Sequence, residues 1–175
     1  MKITVMSRLE AIEHSIKSEI NKCIIISINS LDNDKTYLYK NDNILGIQYL
    51  YFNDIERDYE GCIAPKQKDF FGLKLFIDTF KDNEELEEII VHCAAGISRS
   101  SAVAAAICKY LDIDELETIW NKSCYIPNTL VYKLAKQELG LEWDEEEFAY
   151  FHAMNVAERD KMEIPIDINT IYLNK

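Results

Sequence analysis

Residues 92–100 read HCAAGISRS and follow directly on the apolar run EEIIV. A histidine and a cysteine thus stand at the end of a short buried strand, with an arginine six residues past the cysteine. The chain has four arginines (Arg8, Arg57, Arg99 and Arg159), so Arg99 is not there through a surplus of positive charge. A tight turn from a strand into a helix points successive backbone N–H groups inward, and the helix aims its positive end at the same spot. Such a cradle suits a tetrahedral oxyanion, held by Ala94, Ala95, Gly96, Ile97, Ser98 and Arg99. Gly96 sits where the loop needs positive φ or close ligand approach. Arg99 can offer two parallel donors to two phosphate oxygens, which a lysine cannot. Cys93 lies at the bottom, within reach of the phosphorus. A thiol attacks as thiolate, and helix N-termini and cations lower thiol pKa values into the range of roughly 3.5–7.5. Ser100 can hydrogen-bond the sulfur, both as nucleophile and later as leaving group. The plainer reading of Cys93 is an inert core thiol. A bare Cys-x5-Arg pair is a weak signal; the strand before it, Gly96 within it, and Ser100 and a helix after it make it a strong one.

The elements needed to hold this loop are legible as an alternation. KITVMS (2–7) reads as a strand, and RLEAIEHSIKSEI carries Leu9, Ile12, Ile16 and Ile20 at helical spacing. KCIIISI (22–28) is a continuous β-branched run, which suits a strand buried on both faces. ILGIQYLYF (44–52) is a further strand, and FFGLKLFIDTF presents Phe70, Leu73, Ile77 and Phe80 on one helix face. EIIVH (88–92) is a strand and RSSAVAAAICKYL (99–111) a small-residue helix. DELETIWNKSC and NTLVYKLAKQELG predict two more helices, the second closed by Gly140. The expected fold is α/β: a central, mostly parallel sheet of four to five strands with helices on both faces. Residues 1–141 are expected to form the catalytic domain. Residues 142–175 are read as a helix plus an extended piece docked on it, whose acidic stretch covers an apolar flank or docks a basic partner.

The 175 residues carry a formal net charge of −12, which opposes nucleic acid and anionic membrane as partners. The densest basic stretch, KQK at 66–68, is short and reads as a solvated loop. No stretch has the length of a membrane span, and the N-terminus lacks a signal-peptide core. Five cysteines (Cys23, Cys62, Cys93, Cys108 and Cys124) at irregular spacing, without a C-x-x-C pair or zinc spacing, read as free thiols of a reducing cytoplasm. Neither metal nor cofactor is expected.

VHCAAGISRSSA resembles the signature of the cysteine-dependent protein tyrosine phosphatases of the small dual-specificity type, whose loops read His-Cys-x-x-Gly-x-x-Arg-Ser/Thr. It is also similar to a bacterial-type branch with F-D-D-I upstream and P-N-x-x-L-V downstream, matched here by FNDI (52–55) and PNTLV (127–131). The similarity spans about residues 2–141. The resemblance implies a two-step mechanism in which Cys93 attacks phosphorus and an aspartate protonates the leaving group. Water, activated by the same residue, then cleaves the cysteinyl-phosphate. The acid falls on Asp54, which matches the second aspartate of F-D-D-I, with Asp58 as the alternative. Asn53 stands at the first aspartate's position and can position an acid but not be one. The resemblance further implies that His92 tunes the thiolate and orders the loop, and that Asn128 braces the loop; Asn128 equally suits the N-cap of helix 129–139.

The loop interior carries no additional positive charge, which favours a phosphorylated protein or a small phosphomonoester over a polyphosphoinositide. Phe52 and Tyr59 are candidates to line the pocket or to pack in the core. Oligomeric state stays open. Two rival functions remain: a catalytically dead phosphate-binding module, which requires Asp54 and Asp58 both to be misplaced, and an arsenate-reductase-like enzyme. The latter requires a resolving cysteine within reach of Cys93.

Overall fold

The computed structural model describes residues 1–31, 35–39, 41–59 and 61–161. Four strands, β1 (Lys2–Ser7), β2 (Cys23–Asn29), β3 (Ile44–Tyr51) and β4 (Glu88–Cys93), form one sheet in the order β1-β4-β2-β3. Every pairing is parallel. The helices are α1 (Arg8–Ile16), α2 (Leu73–Phe80), α3 (Arg99–Tyr110), α4 (Thr129–Leu139) and α5 (Glu145–Asp160).

The isoleucine runs explain the two central strands. All seven residues of β2 and all six of β4 are buried. Ile24, Ile26, Ile28, Ile89 and Val91 face a core completed by Leu73 and Ile77 of α2, the alanines of α3, and Val131 and Ala135 of α4. On the opposite face Cys23, Ile25 and Ile90 meet Met6, Ile20 and Leu38. Helices cover both faces, as an α/β layered sheet requires. Among the described residues no helix is long and apolar enough to cross a membrane.

Three predicted helices differ from the expectation. The first ends at Ile16 rather than near Ile20. The 70–80 helix is divided at Gly72, whose φ of 86° leaves the helical region; Gln67–Phe70 forms a separate 3₁₀ turn before it. The Gly72 N–H and the Gln67 amide both donate to the Glu138 carboxylate of α4, which anchors the break. Of the 114–124 helix, only one wide turn exists, Leu116–Trp120, closed by Asn121 N–H to Leu116 C=O at 2.8 Å. The wide register lets Trp120 Nε1 reach back to Glu115 Oε2 at 3.2 Å, an oxygen that also accepts from Tyr132 OH.

The C-terminal helix α5 begins at an Asp144 cap and lays Phe148 and Phe151 on the core, with Phe151 stacked on Trp120. Asn155 donates to the carbonyls of Trp120, Lys122 and Tyr125, which ties α5 to the irregular segment below it. The extended piece expected after it falls in 162–175, outside the described residues. Lys136 of α4 is almost wholly buried, with Nζ 3.1 Å from Glu147 Oε2 of α5. Removing one member of such a pair leaves a buried charge without its partner. Glu147→Ala is expected to destabilise the protein by about 3 kcal/mol in urea unfolding. The double variant Lys136→Met/Glu147→Leu should recover most of that loss.

Candidate functional site

Parallel strands bring their carboxyl ends to one edge, where open α/β sheets bind ligands. Here that edge gathers Ser7 of β1, Cys93 of β4, Ser30 just after β2, and Phe52 with Asp54 just after β3; Ser7 pairs directly with Cys93. From Cys93 the chain turns at once into α3. Gly96 makes this turn possible on two counts. Its φ is 74°, and a Cβ there would lie 2.6 Å from the Ser7 nitrogen and 2.7 Å from the Met6 carbonyl carbon. The loop therefore lies directly on the β1–α1 junction, where the Arg8 N–H also donates to the Ala94 carbonyl. Its far side is strapped by the segment before α4: the Ile126 N–H donates to the Ile97 carbonyl at 3.0 Å, and the Asn128 N–H to the Ser98 carbonyl at 3.4 Å.

Cys93 is 2% exposed at the base of the loop. Burial pushes its thiol up, but the Ser100 hydroxyl and amide, the Gly96 amide and the Arg99 charge together bring it below the ordinary thiol value. The geometry agrees: Ser100 Oγ lies 3.2 Å and the Gly96 nitrogen 3.3 Å from the sulfur. Two other buried cysteines end on the other side: Cys23 has Glu88 nearby, and at Cys108 the Thr118 hydrogen bond does not offset burial and the charges of Glu115 and Asp114. Burial pushes Cys23 up to about 11 and Cys108 up to about 12.

Arg99 is 4% exposed. Its Nη1 donates to Ser30 Oγ at 2.9 Å and to the Phe52 carbonyl at 3.0 Å. Among the described residues its Nε has no hydrogen-bond partner, and it lies 3.8 Å from Asp54 Oδ2. The guanidinium is thus fixed along one edge and retains donor capacity toward an oxyanion. His92 is fully buried, and burial, with Arg8 and Arg99 nearby, pushes it down to about 4. Neither ring nitrogen has a hydrogen-bond partner among the described residues. The Cys93 backbone beside the ring opposes that lowering, so His92 borders the loop directly through the chain.

The two candidate acids are placed differently. Asp54 Oδ1 accepts from Ser98 Oγ at 2.8 Å and from Asn128 Nδ2 at 3.0 Å, so this carboxylate stands against the Cys93–Arg99 loop. Asp58 accepts from the Ala64 N–H at 2.7 Å within its own turn. Asn128 caps α4 through Oδ1, which accepts from the Val131 N–H, and reaches the loop by its backbone, while its side-chain N–H goes to Asp54. Asn53 Oδ1 accepts from the Leu31 N–H at 3.3 Å and joins the ends of β2 and β3. Phe52 is core: it is buried and stacked on Phe70 at 4.8 Å. Tyr59 is exposed and lines an open depression with Ile55, Glu56 and Arg57.

Two residues went unassigned in the sequence. Ser30 holds Arg99, and Glu56 accepts from the Thr129 N–H at the start of α4. Ser30 follows the carboxyl end of a central parallel strand, a position that by itself marks site residues. All five cysteines are free. Among the described residues no group of three or more His, Cys, Asp or Glu side chains is placed to hold a metal ion.

No protein-family model matches the chain. No curated protein matches it either. The chain is similar to the solved structure of a human tyrosine phosphatase-like serine/threonine/tyrosine-interacting protein, with 18% identity and a TM-score of 0.44, covering 85% of this chain and 92% of that one. At that identity and score the likeness bears on neither the activity nor the substrate of this chain.

Three outcomes follow from this geometry. Because Cys93 is lowered and Cys23 and Cys108 are raised, iodoacetamide near neutral pH should label Cys93 ahead of both. Ser100→Ala should shift the pH dependence of that labelling upward, as read by mass spectrometry of the modified peptide. Gly96→Ala, which must adopt positive φ against the Ser7 backbone, is expected to cost about 2 kcal/mol in thermal unfolding and to weaken phosphate binding at least about tenfold.

Proposed function

We propose that the protein is a metal-independent phosphomonoester hydrolase of the protein tyrosine and dual-specificity phosphatase type, working through a cysteinyl-phosphate. By motif it falls with the bacterial-type branch. The observation that carries this reading is a buried sulfur held below its ordinary pKa by hydrogen-bond donors, beside a fixed guanidinium with an unpartnered Nε. A buried thiol without such surroundings is pushed the other way, as Cys23 and Cys108 are.

In the first step the Cys93 thiolate attacks phosphorus in line with the ester oxygen. The S–P bond forms, the P–O bond breaks, and the oxygen takes a proton from Asp54. Loop N–H groups and Arg99 hold the equatorial oxygens, where charge develops. In the second step Asp54 takes a proton from water, which attacks phosphorus and expels the sulfur, stabilised again by Ser100. The substrate is a phosphorylated protein or a small phosphomonoester. The side chains of Ala94, Ala95 and Ile97 offer no cation for a second phosphate, and the −12 charge disfavours nucleic acid and anionic membrane. A cytoplasmic setting suits the free thiols.

The decisive assay is hydrolysis of para-nitrophenyl phosphate in the presence of a chelator. Cys93→Ser should fall to background. Asp54→Ala should lose on the order of 10²-fold in kcat and the alkaline limb of the pH profile. Tight orthovanadate binding by an intact protein that does not turn over would replace this reading with a phosphate-binding module.

A further inference from the structure

Ser98 occupies the N-cap position of α3, where a serine hydroxyl ordinarily accepts a hydrogen bond from its own helix. It makes no such bond. Its hydroxyl instead donates across 44 residues to Asp54 Oδ1 at 2.8 Å. A second donor, Asn128 Nδ2, reaches the same oxygen at 3.0 Å. Asn128 cannot turn its amide over, because its Oδ1 is held by the Val131 N–H at the start of α4. The segment around Asp54 is pinned on either side as well, by Asn53 to Leu31 and by Glu56 to Thr129. An aspartate that is about one-third exposed would otherwise sample several rotamers. Here one oxygen carries both bonds.

We propose that Ser98 and Asn128 are positioning residues that hold Asp54 by Oδ1 and so assign proton delivery to Oδ2; the proposal rests on Asp54 being the general acid. Both donors favour a carboxylate oxygen that carries no proton, so the proton resides on the opposite oxygen. Oδ2 is also the oxygen on the Arg99 side, 3.8 Å from Nε, a donor without a hydrogen-bond partner among the described residues. When the P–O bond breaks, the electron pair goes to the leaving oxygen and the proton passes to it from Oδ2. The resulting carboxylate keeps both hydrogen bonds. Orientation of this kind governs general-acid catalysis because small misplacements of a catalytic group cost large factors in rate. The serine gives up a helix cap for the sake of the acid, a departure from local preference of the kind expected at functional sites.

The test is a series of aryl phosphates whose leaving groups run from good to poor, assayed with Ser98→Ala, Ser98→Thr, Asn128→Ser and Asp54→Asn. Asn128→Ser keeps a capping oxygen for α4 and removes the donor to Asp54. A poor leaving group needs the proton and a good one does not. Ser98→Ala and Asn128→Ser are therefore expected to lose less than about threefold in kcat on the best leaving group and about 10- to 100-fold on the poorest. Inhibition by inorganic phosphate should stay within about threefold, since the loop amides and Arg99 remain. Ser98→Thr, which keeps the hydroxyl, should restore most of the rate. On an Asp54→Asn background, Ser98→Ala should cause no further loss.

A loss with Ser98→Ala that is the same across the series, or that Thr fails to rescue, would mean a structural role in the loop and would overturn the proposal. If Asp54→Asn is steep across the series while Ser98→Ala is flat, only the positioning role falls. If Asp54→Asn is itself flat in an enzyme that turns over, the assignment of the acid falls, and the proposal with it.

Discussion

A guanidinium removed from water must find partners for its donors or lose several kcal/mol. Arg99 meets that demand only in part. Ser30 and the Phe52 carbonyl satisfy Nη1, Asp54 stands at 3.8 Å, and Nε has no hydrogen-bond partner among the described residues. To provide even this much, the ends of β2 and β3 must converge on the first turn of α3. The sheet order β1-β4-β2-β3 achieves this by putting β4 beside β2 and β2 beside β3. What remains is a positive group whose arrangement a bound anion would complete. In a chain of formal net charge −12, that local surplus cannot come from the general field. It comes from one side chain, the inward amides of the loop, and the positive end of α3.

The cysteines provide a comparison within one molecule. Cys23, Cys93 and Cys108 are all buried, and burial alone raises each thiol. Cys93 alone of these three ends below its ordinary value, and the difference lies in more hydrogen-bond donors and a cation in place of carboxylates, rather than in depth. Cys108 sits on the same helix as Arg99 but near its far end, and Cys23 has Glu88 nearby. Depth beside carboxylates raises a thiol; depth beside several donors and a guanidinium lowers it.

Much of this arrangement could be read from the chain because its parts are local. The six-residue step from Cys93 to Arg99, Gly96 within it and Ser100 beyond it lie in one window, as do the isoleucine runs that mark the buried strands. What could not be read depends on contacts across many residues: 69 from Ser30 to Arg99 and 44 from Asp54 to Ser98. Asp54 and Asp58 differ by only four positions, and only the folded chain puts one against the loop and the other into a turn of its own. Helical spacing over 114–124 misled because the Trp120–Glu115 hydrogen bond and the packing of Trp120 under α5 prevail over local preference. At Phe52 the aromatic ring belongs to the core and only the carbonyl belongs to the site.

Ten consecutive residues of α3, Arg99–Cys108, are buried, and six of them are serine or alanine. The helix that supplies the guanidinium is therefore also the central strut of the interior, pressed between the sheet and α4. Close packing around so many small side chains leaves no slack for an added methylene. Nothing separates this part of the core from the loop: a bulkier residue at Ala102 or Ala105 would displace Arg99 along with the strut. Each of these small side chains therefore serves two ends at once, filling the interior and setting where the guanidinium stands.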